Sequence, residues 1–256
     1  LIFIIIFSAL VALSLLSAAV EPAQASPGDV LLVSCDSSGT QGNDRSGAPS
    51  MSPDGKYVAF SSAATDLVPG GTTGYQIFRK DLDTSAIVLA SCDSSGVEGN
   101  NVNYAPSITP DGRYVVFHSY SSNLVPGGTT GYQVFRKDLD TGAIVLVSCN
   151  SSETQGNGHS EYATVSSDGR YVTFDSVATN LVTPATSSRQ IFRKDLSTGA
   201  VALVSCDSSG TQGNTAGNIT FNAKITPDGG YVSFRSDATN LIPGGTTNRQ
   251  GFIKNL

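Results

Sequence analysis

The stretch Ser52-Pro53-Asp54-Gly55-Lys56-Tyr57-Val58-Ala59-Phe60 decides the fold. Its first four residues spell a tight turn: Pro53 presets φ, Asp54 can bond its own backbone, and Gly55 accepts a positive φ. The residues that follow, 57–62, are rich in aromatic and β-branched types and predict a strand. The same wording returns three times. Thr109-Pro110-Asp111-Gly112 precedes Tyr114, Ser166-Ser167-Asp168-Gly169 precedes Tyr171 and lacks the proline, and Thr226-Pro227-Asp228-Gly229 precedes Tyr231. Cys35, Cys92, Cys149 and Cys206 recur every 57 residues, while the step from Tyr171 to Tyr231 is 60. Three extra residues therefore lie between Cys206 and Tyr231.

Working outward from the turn, each copy reads as four short strands. In the first copy these are residues 48–52, 57–62, 75–82 and 86–92, with a second tight turn at Asp83-Thr84-Ser85. No stretch after the N-terminal segment keeps a 3.6-residue apolar period, so no helix is expected there. Tandem four-stranded units predict an all-β chain, a β-propeller of four four-stranded blades. The turn-and-strand signature at 52–60, followed by Gln76-Ile77-Phe78-Arg79-Lys80-Asp81-Leu82, resembles the WD40-like repeat of TolB-type propellers. That resemblance implies a propeller and, as the commonest use, protein–protein interaction. It implies no single activity, because such folds host many.

The ends of the chain carry two further expectations. Residues 1–20 are almost wholly apolar, and Ala23-Gln24-Ala25 follows with small-x-small spacing. Residues 1–25 therefore read as a signal peptide, with an N-terminal membrane anchor as the other reading of so long an apolar run. Residues 26–256 form the propeller, and the protein is expected to be exported, periplasmic or extracellular. The fourth copy stops after its third strand, whereas residues 29–35 match an outer-strand tract. The expectation is that this N-terminal strand closes the last blade and removes an edge. A fragment of a larger propeller is the alternative.

Strand alternation puts both sets of tight turns on one face and both sets of long connections on the other. The long-loop face is rich in Ser, Thr, Asn and Gly, and Leu67, Leu124, Leu181 and Leu241 are placed to anchor it from below. Loops on a rigid scaffold are where binding residues concentrate.

Candidate chemistry is sparse. The net charge of −6 argues against a nucleic-acid partner, which would select a basic surface. Equivalent cysteines on separate blades stand too far apart for a disulfide, and no Cys or His spacing suggests a metal. No cofactor is implied. Asp81-Leu82-Asp83 and its copies lack the loop spacing of a calcium site and read as turn-stabilising. Arg79-Lys80, Arg136-Lys137 and Arg193-Lys194 form a repeated basic pair with stems over apolar neighbours. One column breaks the monotony: Ser61, His118, Asp175 and Arg235 follow the Tyr-x-x-Phe tract at equivalent places. Blade separation speaks against a triad, which needs successive hydrogen bonds. These four residues are instead the candidate binding positions, set against variation at a tolerant, partly exposed strand end. His159, beside Glu161, reads as a solvated surface residue.

Two function classes follow. The first is an exported, non-catalytic propeller that binds a protein, peptide or cell-envelope component through its long-loop face, touching a membrane only through an uncleaved N-terminal segment. The second is a propeller-platform enzyme such as a glycan hydrolase or lyase, which would need a close pair of carboxylates.

Overall fold

The turn-and-strand signature folds as its residue types demand. In the computed structural model, which describes residues 27–214 and 223–256, Ser52 Oγ donates to Asp54 Oδ1 at 2.5 Å and accepts from Tyr57 N at 2.9 Å. Gly55 closes the turn at φ 77°, and Gly169 does the same at φ 73° although no proline precedes it. The hydroxyl–Asp–Gly geometry therefore carries the turn, and proline only stiffens it.

The turns join antiparallel strands into four sheets. The first holds β1 (Ser46–Met51), β2 (Tyr57–Ser62), β3 (Gln76–Asp81) and β4 (Ile87–Leu89), in that order. The second holds β5 (Asn103–Ile108), β6 (Tyr114–Ser119), β7 (Gln133–Asp138) and β8 (Ile144–Leu146). The third holds β9 (Ser160–Val165), β10 (Tyr171–Ser176), β11 (Gln190–Asp195) and β12 (Val201–Leu203). The fourth holds β13 (Lys224–Ile225), β14 (Tyr231–Ser236) and β15 (Gln250–Asn255). First strands of consecutive sheets touch, β1 with β5, β5 with β9 and β9 with β13, so they lie innermost. This is a β-propeller, with each four-stranded meander a blade. No described residue is helical.

The core lies in the seams between blades. Ala59, Ile77 and Ala90 of the first blade pack on Val115, Phe117 and Phe135 of the second. Val116, Val134 and Val147 pack in turn on Val172, Phe174 and Phe192 of the third. Phe117 and Phe135 stack at 6.1 Å, as do Phe174 and Phe192 at 5.9 Å.

Two polar devices recur at these seams. Lys80, Lys137 and Lys194 are buried, not a basic patch. Lys137 Nζ donates to Cys92 O, Asp93 O and Gly142 O at 2.7–3.1 Å, and thus latches the preceding blade's final turn. Lys80, Lys194 and Lys254 grip the equivalent Cys and Asp or Asn carbonyls. The neighbouring arginines stack on tyrosine: Arg136 lies 4.5 Å from the Tyr114 ring and donates to Gly169 O of the next blade at 2.6 Å.

Four expectations need correction or placement. Residues 29–34 form no strand, and β15 has no fourth partner among the described residues. Val30 is 97% exposed, and the tract is held at its far end because Lys80 binds Cys35 O and Asp36 O. The repeated latch thus fixes the tract to the first blade, and no comparable packing brings β13–β15 against β1–β4. The outer strands are also shorter than expected. The cysteines stand three residues past Leu89, Leu146 and Leu203, where each buried thiol is unbridged and donates to that leucine's carbonyl. The apolar run at 1–20 lies outside the described residues. The three-residue insertion falls there as well, because Asn214 keeps the 57-residue step from Asn157 and Ala223 stands 60 beyond Ala163.

Candidate functional site

β2 and β3, like β6 and β7, meet at Ser62 and Gln76 or Ser119 and Gln133, and the long connections leave from that end. Leu67, Leu124, Leu181 and Leu241 are buried beneath them as anchors. A clasp shapes each loop. Asn100 Nδ2 donates to Ser122 Oγ, and Asn43, Asn157 and Asn214 bind Thr65, Thr179 and Thr239 in the same way.

The candidate column lies just under this face, pointing at the next blade. Ser61, His118 and Asp175 are 4%, 5% and 3% exposed, so the strand end is buried rather than partly exposed. Arg235 is exposed on the last blade. The four do not converge, since each belongs to a separate blade and no hydrogen bond joins any two among the described residues. Ser61 Oγ donates to Gly47 O at 3.1 Å, a local role.

His118 organises something the column alone did not reveal. Its ring stands 6.0 Å from Tyr104, 5.5 Å from Tyr132 and 5.4 Å from Tyr162. Tyr75 extends the group from Tyr104 at 5.5 Å, with the exposed Arg45 over its ring at 5.2 Å. Tyr120 stands edge-on to Tyr132 at 5.0 Å, and His159 lies 5.6 Å from Tyr132. His159 is exposed as expected, yet its Nδ1 accepts from Tyr132 N at 2.9 Å and so fixes that tyrosine's backbone. Tyr120 and Tyr162 are 44% and 39% exposed and present the group to solvent.

Tyr162 is re-aimed by its backbone. Each of β1, β5 and β9 is bulged, with Ala48, Ala105 and Tyr162 at φ 48°, 49° and 51°. A bulge turns a side chain out of the regular alternation. A bulky residue at positive φ is strained. The third blade carries that strain and gains a ring over His118, whose Nδ1 accepts from Tyr162 N at 3.4 Å. The proton of the neutral imidazole is then on Nε2. Burial pushes the His118 pKa down to about 4, against a weaker opposite pull from Glu161, so the ring is uncharged at neutral pH.

Beside the rings lies an ionic knot. Glu161 and Asp175 are cross-strand partners, and Arg189 Nη1 donates to both, at 3.1 and 2.6 Å. Burial raises the Asp175 pKa to about 6 despite Arg189, and its Oδ1 has no hydrogen-bond partner among the described residues. Burial raises Tyr132 and Tyr162 as well, with help from the Glu161 charge, so both stay protonated donors. Among the described residues no group of three His, Cys, Asp or Glu side chains is disposed to hold a metal. Asp81 Oδ1 instead accepts from Asp83 N and Thr84 N, the turn-stabilising role expected of it.

No protein-family model and no curated protein matches the chain. Solved structures that resemble it include the following three. TolB from Acinetobacter baumannii is 21% identical, over 83% of this chain and 41% of its own, with a TM-score of 0.49. The β-propeller domain of the Trilobed protease from Pyrococcus furiosus is 11% identical, over 84% of this chain and 70% of its own, at 0.41. The oligogalacturonate lyase from Vibrio parahaemolyticus is 15% identical, over 75% and 46%, at 0.43. The chain thus spans about two fifths of the length of that TolB. The propeller assignment rests on the strand order and seams described above.

Proposed function

We propose that the protein is an exported, non-catalytic β-propeller whose long-loop face binds a peptide or protein segment of the cell envelope. The observation that carries this reading is the tyrosine group around His118, set among Asn, Ser, Thr and Gly loops. Tyrosine supplies large contact area at low entropic cost, while Ser, Gly and Asn supply adaptable hydrogen bonds; that mixture characterises protein-binding surfaces. Arg45 at one end and the Arg189–Glu161 pair at the other would set the direction of an extended segment. Export is supported by the apolar run and the Ala23-Gln24-Ala25 tract.

The enzyme reading has one point in its favour, since Glu161 and Asp175 do converge. However, Arg189 occupies the space between them, where a hydrolase needs the scissile bond and water. Asp175 is also buried. The pair therefore supports a positioned ion pair at the edge of a binding surface.

Selection of phage-displayed peptides on residues 26–256 tests the binding reading. Enriched peptides should lose about tenfold or more in affinity on Tyr162→Ala, the scale of an aromatic anchor. Alanine already occupies this bulge at Ala48 and Ala105, so the fold tolerates it. The same peptides should keep their affinity on Lys56→Ala, at the tight-turn face. No enrichment, or indifference to Tyr162→Ala, sinks the proposal. Mass measurement of the exported protein should show Ser26 as its first residue.

A further inference from the structure

Tyr120 also walls a cleft of about 310 Å³ on the same face. Asn100, Asn101, Ser122, Thr129, Thr130 and Gly131 line it as well, and no charged side chain does. Its frame is rigid. Asn100 Oδ1 accepts from Ser122 N and its Nδ2 donates to Ser122 Oγ. Thr130 N is tied to Gln155 Oε1, and Asn101 Oδ1 accepts from Val102 N.

The frame leaves hydrogen-bonding capacity over. Asn101 Nδ2, the Ser122 and Thr130 hydroxyl protons and the Tyr120 hydroxyl have no protein partner among the described residues. One aromatic ring and several uncharged donors line the same cleft, which is at the small end of the range for ligand sites. That pairing suits a molecule with an apolar flank and a rim of neutral hydroxyls. A buried hydroxyl needs a partner to repay its lost water, and the amide and hydroxyl groups supply one. A charged ligand would find no counter-ion, and a purely apolar one would strand the donors.

The other blades provide the contrast. All four keep the Asn–Ser/Thr clasp, but the Tyr120 column reads Ala63, Tyr120, Val177 and Asp237, and the Asn101 column reads Asp44, Asn101 and Gly158 in the first three. The second blade alone combines the aromatic wall with the spare amide. Tyr120 is held ready, since its edge-on contact with Tyr132 at 83° fixes the ring plane.

We infer that the second-blade cleft is a binding subsite for a neutral saccharide ring, stacked on Tyr120 and hydrogen-bonded by Asn101, Ser122 and Thr130. This subsite shares Tyr120 with the edge of the tyrosine group around His118, but its polar residues lie outside that group, and it does not depend on the peptide reading.

Saturation-transfer NMR with residues 26–256 and four probes tests it: chitotetraose, cellotetraose, maltotetraose and xylotetraose. At least one should bind saturably below about 10 mM, the weak limit for a single small subsite. Tyr120→Ala restores the residue of the first blade, Ala63, and so should fold; it should weaken binding about tenfold or more. Asn101→Ala should weaken it several-fold, whereas Tyr162→Ala should leave it unchanged. No binding by any probe overturns the inference, as does binding that survives Tyr120→Ala or that falls with Tyr162→Ala instead. Loss of peptide capture on Tyr162→Ala with sugar binding intact would separate the two sites.

Discussion

The seams and the long-loop face are built from the same four repeats, yet they treat repetition in opposite ways. At the seams the copies agree. Lysine latches the preceding turn in all four blades, and a tyrosine lies over the next blade's turn glycine at three seams. At the inner end of the long-loop face the copies diverge. The Tyr104 column reads Gly47, Tyr104 and Glu161 in the first three blades, and the Tyr132 column reads Tyr75, Tyr132, Arg189 and Arg249. Agreement among copies marks what a blade needs in order to stack, because each meets the same neighbour. Divergence at a buried or half-buried position has no such requirement behind it, so it marks where one blade does what the others do not.

The strongest way to break this contrast is to strike a seam. A Cβ on Gly169 would fall inside the Tyr114 ring, whereas one on Gly55 meets nothing within 4 Å. Both glycines have positive φ, so Gly→Ala costs each about 1 kcal/mol in backbone strain. Overpacking should add about 2 kcal/mol at Gly169 only. Urea denaturation should therefore place Gly169→Ala well below Gly55→Ala, and equal losses would show that the tyrosine–glycine contact does not hold the seam.

A smaller effect is expected at the latches. Lys137→Met removes one buried ammonium and leaves three carbonyls without that donor, for a loss of about 2 kcal/mol. Lys254 is half-buried and grips two carbonyls, so Lys254→Met should cost less than half as much. If the half-buried end latch proves the costlier, burial is not what gives the latch its strength.

On the divergent face the readout is pH. Between pH 6.5 and about 4 the unfolded chain takes up a proton at His118 that the folded chain refuses, so stability falls as pH drops. Between about 6 and 3.8 the folded chain takes up a proton at Asp175 that the unfolded chain does not, so stability rises as pH drops. The two slopes oppose each other across pH 4–6 and should nearly cancel in the native protein. Asp138, held well below the usual carboxylate range by Arg113, loses its contribution only under about pH 3.8. Asp175→Asn should therefore steepen the fall in urea midpoint from pH 6 to 4, and His118→Phe should reverse it. Parallel profiles for both variants and the native chain would place the titration elsewhere.

What was legible in the sequence followed the same division. Turn chemistry, the central strands, the leucine anchors and the division of tight turns and long loops between two faces were all readable, because each is local and written several times over. The closing strand was misjudged, since the resemblance of residues 29–35 to an outer strand says nothing about which blade holds them, and Lys80 settles that. The basic pairs were read as stems laid over apolar neighbours, without the latch, because a buried lysine is rare and only the seam shows the carbonyls that justify it. The tyrosine group went unseen because Tyr104 and Tyr162 come from strands of two blades and Tyr132 from the loop before β7. Aligning the copies and reading down the columns would have exposed it, since tyrosine stands there opposite glycine, arginine or alanine.

The finest test is a substitution expected to do almost nothing to the fold. Tyr120 is 44% exposed and, beside a 6.3 Å ring contact with the exposed His159, adds to the packing its edge contact with Tyr132, a pairing worth about 0.5 kcal/mol at such a site. The first blade keeps the same clasp and the same leucine anchor with Ala63 in that place. Tyr120→Ala should therefore leave the urea midpoint within error of the native value, while Phe117→Ala, one strand face away and fully buried, costs about 3 kcal/mol or more. A large loss at Tyr120 would mean that the ring belongs to the packing of the second blade. Its departure from the other copies would then reflect a local repair of the seam, and the contrast between a repeated scaffold and a divergent binding face would fail at the position where it is most exposed to test.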